Sequence, residues 1–200
     1  MDPSSDVAFS PAVKAVQERR GSRAQQARRS RWPTAITPDL ADFLARATTA
    51  YLATASADGQ PYVQHRGGPP GFLVALDART IGFADYAGNR QYVTTGNLAE
   101  NPRAMLFVMD YEQRRRIKIW GEARIVEDDP ALTLRLFPTG YRARPQQAVL
   151  MTVKAWDVNC SQHIPQMFPA AEVVAALDTL EARVRALEEE NAALRAGRAA

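Results

Sequence analysis

The chain is poor in the residues that build covalent or metal-held frameworks. Of its 200 residues one is cysteine, Cys160, and two are histidine, His65 and His163. A single cysteine excludes an internal disulfide framework, and with two histidines it leaves too few ligands for a standard Cys/His zinc site. No structural metal is expected. Long apolar runs are missing too: stretches such as Ala104 to Met109 are strand-length, far short of the roughly 20 residues that cross a bilayer. The N-terminus opens with Asp2, Pro3, Ser4, Ser5 and Asp6 rather than a basic segment leading into an apolar run. The expectation is a cytoplasmic protein with no membrane span.

What is present is ordinary globular composition, 46% hydrophobic and 24% charged, enough for one buried core with extensions. The formal net charge of +3 is unevenly spread: Lys14, Arg19, Arg20, Arg23, Arg28, Arg29 and Arg31 stand against Asp2, Asp6 and Glu18. Such a basic arm suits a solvated helix or a cap that favours anionic ligands. No nucleic-acid recognition motif accompanies the charge, so nucleic acid is not the expected partner.

Ser10-Pro11 is an N-cap and first-turn pair that predicts a helix running toward Gly21 or beyond. Thr37-Pro38-Asp39 repeats the signal, with Leu40, Phe43 and Leu44 on one face. From Thr49 the pattern turns to β-prone runs: Tyr51 to Ser56, Tyr62 to Arg66, Phe72 to Leu76, Thr80 to Ala84, Ala104 to Tyr111, Arg115 to Val126 and Ala148 to Val158. Asp58-Gly59 between the first two reads as a hairpin. In the Arg115 run Ile117, Ile119, Gly121, Ala123 and Ile125 alternate with Arg116, Lys118, Trp120, Glu122 and Arg124, predicting one packed face and one free to meet a ligand or partner. Short helices are expected within Asn89 to Asn101 and from Asp129-Pro130. The fold class is therefore mainly β with α decoration (α+β), a barrel of about six to seven antiparallel strands.

Val173, Leu180, Leu187 and Leu194 recur every seven residues, and Leu177, Val184 and Asn191 fill the alternate set. This is a heptad seam with Asn191 at an a position, which favours a parallel, in-register pair of chains. The g to e′ pairs Arg183 with Glu188′ and Glu190 with Arg195′ are attractive in that arrangement. About three heptads are marginal alone, so another interface must support the pair; the alternative is an amphipathic helix folded onto its own domain. Residues 1–36 are expected to form a basic helical arm, 37–168 the barrel and 169–200 the coiled-coil segment.

The segment Asp85-Tyr86-Ala87-Gly88-Asn89-Arg90-Gln91 joins a strand to a helix, so that free helix N-terminal N–H groups and one arginine face the same point, a combination that binds phosphate. By itself this is weak, and an N-cap with an exposed arginine would look the same. The surrounding order adds to it: Gly59 to Arg66, Phe83-Ala84-Asp85-Tyr86, Gly88-Asn89-Arg90-Gln91, Asn97 to Ala104 and Arg116 to Ala123. This succession resembles the pyridoxamine 5′-phosphate oxidase-like family of flavin-binding split β-barrels, over roughly Leu40 to Val158.

The resemblance implies flavin mononucleotide (FMN) held at a homodimer interface. Arg90 falls on the family's phosphate arginine, Asn89 stands where serine is common and Gln91 where lysine is common. One phosphate charge is therefore missing, and Arg66 is the candidate replacement. By the same likeness Gln64, His65 and Arg66 would run beside the flavin, Ala84 and Asp85 would contact it, and Arg116 would lie near the ring. Trp156 is a candidate cover for the flavin or a barrel-packing residue, and His163 a candidate acid or a local hydrogen-bonder. Cys160 is expected to be a small buried residue, and His65 to Phe72 either a pocket loop or a plain strand connection. The basic and aromatic set with which the name-giving oxidase grips its vitamer is absent, so true pyridoxamine phosphate oxidation is not expected. The implied activity is an FMN-dependent oxidoreductase acting on a small organic molecule, with NADH, NADPH or oxygen as redox partner. The alternatives are a non-catalytic flavin- or haem-binding protein, with His65 or His163 as haem ligand, and a deazaflavin-dependent reductase.

Overall fold

The structure is a computed structural model that describes residues 3–159 and 161–198; Cys160, and with it the expected burial of its side chain, lies outside the described residues. Two compact units are present, one running to Asp110 and resuming over Arg115–Gln162, the other made of Tyr111–Arg114 and the chain from His163 onward.

In the first unit Ser10 caps α1 (Pro11–Arg19), accepting from the Val13 N–H at 3.3 Å. The helix stops short of Gly21, whose φ of 73° turns the chain, and α2 (Arg23–Arg28) follows. Thr37 caps α3 (Pro38–Arg46), and the predicted stripe of Leu40, Phe43 and Leu44 is buried. Seven strands follow: β1 (Thr49–Ala55), β2 (Pro61–Gly67), β3 (Val74–Ala75), β4 (Thr80–Tyr86), β5 (Arg103–Asp110), β6 (Arg115–Val126) and β7 (Pro145–Asn159). The helices α4 (Val93–Glu100) and α5 (Pro130–Arg135) are inserted between them. All pairings are antiparallel, in the order β2-β1-β5-β6-β7-β4-β3. This is an α+β split barrel.

The core lies on the inward parity of each strand. Ala50 and Leu52 of β1, Leu106 and Val108 of β5, Ile117 and Ile119 of β6, and Val149, Met151 and Val153 of β7 are buried together with the α3 stripe. Strand β7 pairs with both β4 and β6, and its register against β6 shifts between Trp120 and Gly121. A Cβ on Gly121 would come within 2.2 Å of the Thr152 carbonyl oxygen, so only glycine admits this close strand approach. The run predicted from Phe72 to Leu76 shrinks to two residues, because Gly71 (φ 89°) donates to the Ala45 carbonyl and turns Phe72 and Leu73 into the core. The loop from His65 is thereby tied at Gly71 to the last turn of α3.

The outward face of β6 is covered by the chain's own arm. Trp32 stacks on Trp120 with ring centroids 4.9 Å apart, and Phe9 meets Trp32 edge-on at 5.1 Å. The Trp156 backbone N–H donates to Pro33, its indole to Ala35, and the Ile36 N–H to Ala78.

In the second unit the β5–β6 turn holds the strap that precedes α6 (Ala170–Arg198): Arg114 Nε donates to the Ile164 carbonyl at 3.1 Å, and Gln166 to that of Glu112 at 2.9 Å. The heptad residues Leu177, Leu180, Val184 and Leu187 are 45–61% exposed in the single protomer.

Candidate functional site

A cavity of about 180 Å³ opens where β2, the end of β4, the start of β7 and the N-terminus of α4 converge. Alternation along β2 turns Tyr62, Gln64 and Arg66 toward it. Helix α4 is set against the sheet by a buried bond from Asn97 Nδ2 to Thr54 Oγ1 at 3.0 Å and by Leu98 in the core. Thr94 Oγ1 then donates to Gln64 Oε1 at 2.7 Å.

The loop between β4 and α4 forms the other wall. Asn89 Oδ1 accepts from the Gln91 N–H at 3.2 Å, closing an Asx turn. Two residues that are not glycine then adopt left-handed backbone, Arg90 (φ 61°) and Tyr92 (φ 53°). Gly88 is not the turning residue. Such conformations cost about 1–3 kcal/mol each and concentrate at ligand sites. The chain enters α4 at Val93 rather than at Asn89, and it does so without a side-chain cap, whereas Ser10, Thr37 and Asp129 cap α1, α3 and α5. The first-turn N–H groups of a helix have no intrahelical partner, and Val93, Thr94 and Thr95 line the cavity.

Charge within the cavity is set by three residues. Arg66 is ion-paired with Asp85, their side chains 10% and 14% exposed, and its guanidinium lies over the Phe83 ring. Asp85 also accepts from Gln147 at 2.9 Å, and Gln147 reaches Thr95 at 3.2 Å. Arg66 and Asp85 cancel, which leaves Arg90 as the net positive charge. Arg66, expected as the replacement for the missing phosphate charge, thus lines the cavity with its own charge offset by Asp85. The Tyr92 hydroxyl accepts from Gln146 Nε2 at 3.0 Å; this bond, with the Arg90 guanidinium beside it, draws the phenol below its ordinary pKa. Burial, reinforced by Tyr141 and Asp85, pushes Tyr86 up. Two buried polar atoms of cavity residues have no hydrogen-bond partner among the described residues, Arg66 Nε and the Tyr86 hydroxyl.

The cavity thus brings together Gln64, Arg66, Asp85, Asn89, Arg90 and Gln91. The other sequence candidates lie elsewhere. His65 is on the opposite face of β2, its Nε2 3.0 Å from Thr49 Oγ1 and its ring edge-on to Tyr51. Ala84 is buried with Leu136 and Ala148. Arg116 sits between Met109 and Asn159 in the sheet, its Nε buried and unpartnered. Trp156 is 8% exposed in the core and hydrogen-bonded to Ala35, so it packs the barrel instead of covering a ligand. His163, exposed with a φ of 62°, belongs to the second unit.

Sequence reasoning missed Thr94, Thr95, Gln146 and Gln147 as cavity-wall or supporting residues. A signal existed for Gln147: it shares parity with Val149, Met151 and Val153, which places a polar side chain on the inward face, and it is 3% exposed. Among the described residues no group of three or more His, Cys, Asp or Glu side chains could hold a metal, and no helix is long and apolar enough to cross a membrane.

A seven-stranded split barrel with a small polar cavity at an uncapped helix N-terminus defines a class before it defines a family. The family model described as pyridoxamine 5′-phosphate oxidase matches residues 36–160, and the chain belongs to that family. Among solved structures it is similar to HupZ of Group A Streptococcus, at 18% identity and a TM-score of 0.51, over 66% of this chain and 99% of that one. It is also similar to an FMN-binding protein from Syntrophomonas wolfei subsp. wolfei, at 12% identity and a TM-score of 0.49, over 73% of this chain and 97% of that one. At these identities the first likeness supports the fold alone. No curated protein sequence matches the chain significantly.

Proposed function

We propose that the chain is an FMN-dependent oxidoreductase whose cofactor phosphate is held by Arg90 and the N-terminal N–H groups of α4. The observation that carries this is the uncapped α4 N-terminus beside a left-handed, net-cationic Arg90. An anion there would satisfy the free donors and offset the strained turn. Arg66 Nε and the Tyr86 hydroxyl, both buried and unpartnered, await acceptors of the kind that a phosphorylated polyol carries. Gln64 stands beside the same space. The residues present therefore fit the group.

Bound FMN would supply hydride or single-electron transfer. This chain's own residues bind and orient: Asn89 holds the turn, Asp85 and Gln147 fix Arg66, and Thr94 fixes Gln64. The substrate is a small organic molecule, with NADH, NADPH or oxygen as the second redox partner.

A homodimer completes the proposal. Ligand pockets commonly enclose roughly 300–1,000 Å³, whereas this cavity offers about 180 Å³, so a second copy is needed to enclose the remainder of the cofactor. Helix α6 is the second contact, a parallel coiled coil through its exposed heptad residues.

Purified protein titrated with FMN should develop paired flavin bands, and Arg90→Ala should weaken binding by about tenfold or more, since charge-assisted bonds contribute about 1.5–3 kcal/mol. Equal affinity of Arg90→Ala and the unaltered chain would reject the phosphate assignment. Turnover with NADH or NADPH then separates an enzyme from a carrier.

A further inference from the structure

A second hollow, of about 570 Å³, lies between the N-terminal arm and the outward face of β6 and β7. It shares no lining residue with the cavity at α4. Its existence follows from how the arm is attached. Backbone bonds at Ser30, Pro33 and Ala35 and the Trp32–Trp120 stack pin the segment after α2, while α1 and α2 bury none of their residues. The two helices are held over the sheet without being packed down onto it.

The walls specify what would fill it. Phe9, Trp32 and Trp120 supply aromatic surface, and the Lys118 ammonium lies 5.9 Å and 5.3 Å from the two indole centroids. Lys118 is paired with Asp157 at 3.4 Å, so those two charges offset each other. Arg29 lines the hollow with no side-chain partner among the described residues, as does the Gln26 amide. The balance is apolar aromatic surface beside one uncompensated guanidinium. We infer that this hollow is a binding site for a flat aromatic anion, whose ring lies against the cluster of Phe9, Trp32 and Trp120 and whose carboxylate or equivalent acid group meets Arg29. The basic arm, which the FMN proposal leaves without a task, then serves to attract and retain an anionic ligand. This inference stands apart from the FMN proposal and survives its failure.

Two of the three tryptophans line the hollow, and Trp156 is core-bound, so intrinsic fluorescence reports on it directly. Full-length protein would be titrated with 2-naphthoate, with neutral 2-naphthamide in parallel. The acid should quench fluorescence saturably and the amide should bind more weakly. Arg29→Gln, an exposed position with no partner to lose, should weaken 2-naphthoate by about tenfold, the loss expected of one charge-assisted hydrogen bond. Trp120→Phe should reduce the quench amplitude, and Arg90→Ala should leave the titration unchanged. Non-saturable quenching, equal binding of acid and amide, no effect of Arg29→Gln, or loss of binding in Arg90→Ala would each overturn the assignment. Circular dichroism of the variants separates lost binding from lost folding.

Discussion

Arg66 on β2 and Asp85 on β4 form an ion pair between strands that stand first and sixth in the strand order, so one salt bridge spans the mouth of the split barrel. Both side chains are largely buried, and Gln147, the strand partner of Asp85, holds the carboxylate from the other side. Removing one member leaves the other charged and uncompensated, at a cost of about 3–5 kcal/mol. Asp85→Ala should therefore lower unfolding stability by about that amount in chemical denaturation, and Arg66→Leu combined with Asp85→Leu should lower it by clearly less. A double-variant loss as large as or larger than that of Asp85→Ala would show that an uncompensated Arg66 charge is not what destabilises the single variant.

Gly121 is the position where β7 presses hardest on β6. Gly121→Ala places a methyl group against the Thr152 carbonyl, an overpacking worth about 1–3 kcal/mol or more. The expected result is a lower unfolding midpoint, whereas Gly96→Ala, with open space around it, should be nearly neutral or stabilising. Thermal melts of both variants decide it.

The two cavity tyrosines should titrate in opposite directions. Tyr92 ionises below the ordinary tyrosine value because of its bond from Gln146 and the nearby Arg90, and Tyr86 above it because of burial. The sign follows: the Tyr92 contribution to stability is present only above the ordinary tyrosine pKa and is lost as pH falls through its lowered one. That of Tyr86 is present below the ordinary pKa and is lost as pH rises through its raised one. Alkaline difference absorbance should show Gln146→Ala moving the Tyr92 transition upward while the Tyr86 transition stays, and a Tyr92 transition unaltered by Gln146→Ala would remove the proposed cause.

Helix α6 should behave as a dimerisation element with a set polarity. Every d residue of its seam is Val or Leu, so an antiparallel partner would place Asn191 against an apolar side chain, whereas a parallel, in-register partner sets Asn191 against its twin. Leu187→Cys in a Cys160→Ser background should cross-link to its own copy under mild oxidation, and Leu180→Glu with Leu187→Glu should weaken the dimer in sedimentation. Absence of the cross-link would exclude the parallel seam.

Elements governed by local periodicity were legible in the sequence. The limits of β6 agree with its alternation from Arg115 to Val126, and the Ser10, Thr37 and Asp129 caps fall at the starts of their helices. Features that depend on which face a strand turns, or on a distant partner, were not read. His65 was grouped with Gln64 and Arg66 although a period of two separates it from them, and the Trp156 indole was free to be a lid until Ala35 arrived to accept from it. Arg66 looked like a spare cation because nothing in a linear reading sets Asp85 opposite it.

The order of side chains alone determined the class of this protein: capped helices, alternating strands and a heptad tail all express interactions within a few residues of one another. Folding in three dimensions decided the rest. Curling of the sheet closed Arg66 onto Asp85 and left Arg90 as the free charge, and return of the arm laid Trp32 on Trp120 and left a second, open hollow beside it. Charge neutralisation and the shape of a cavity arise between residues far apart in the chain, and no local pattern encodes them.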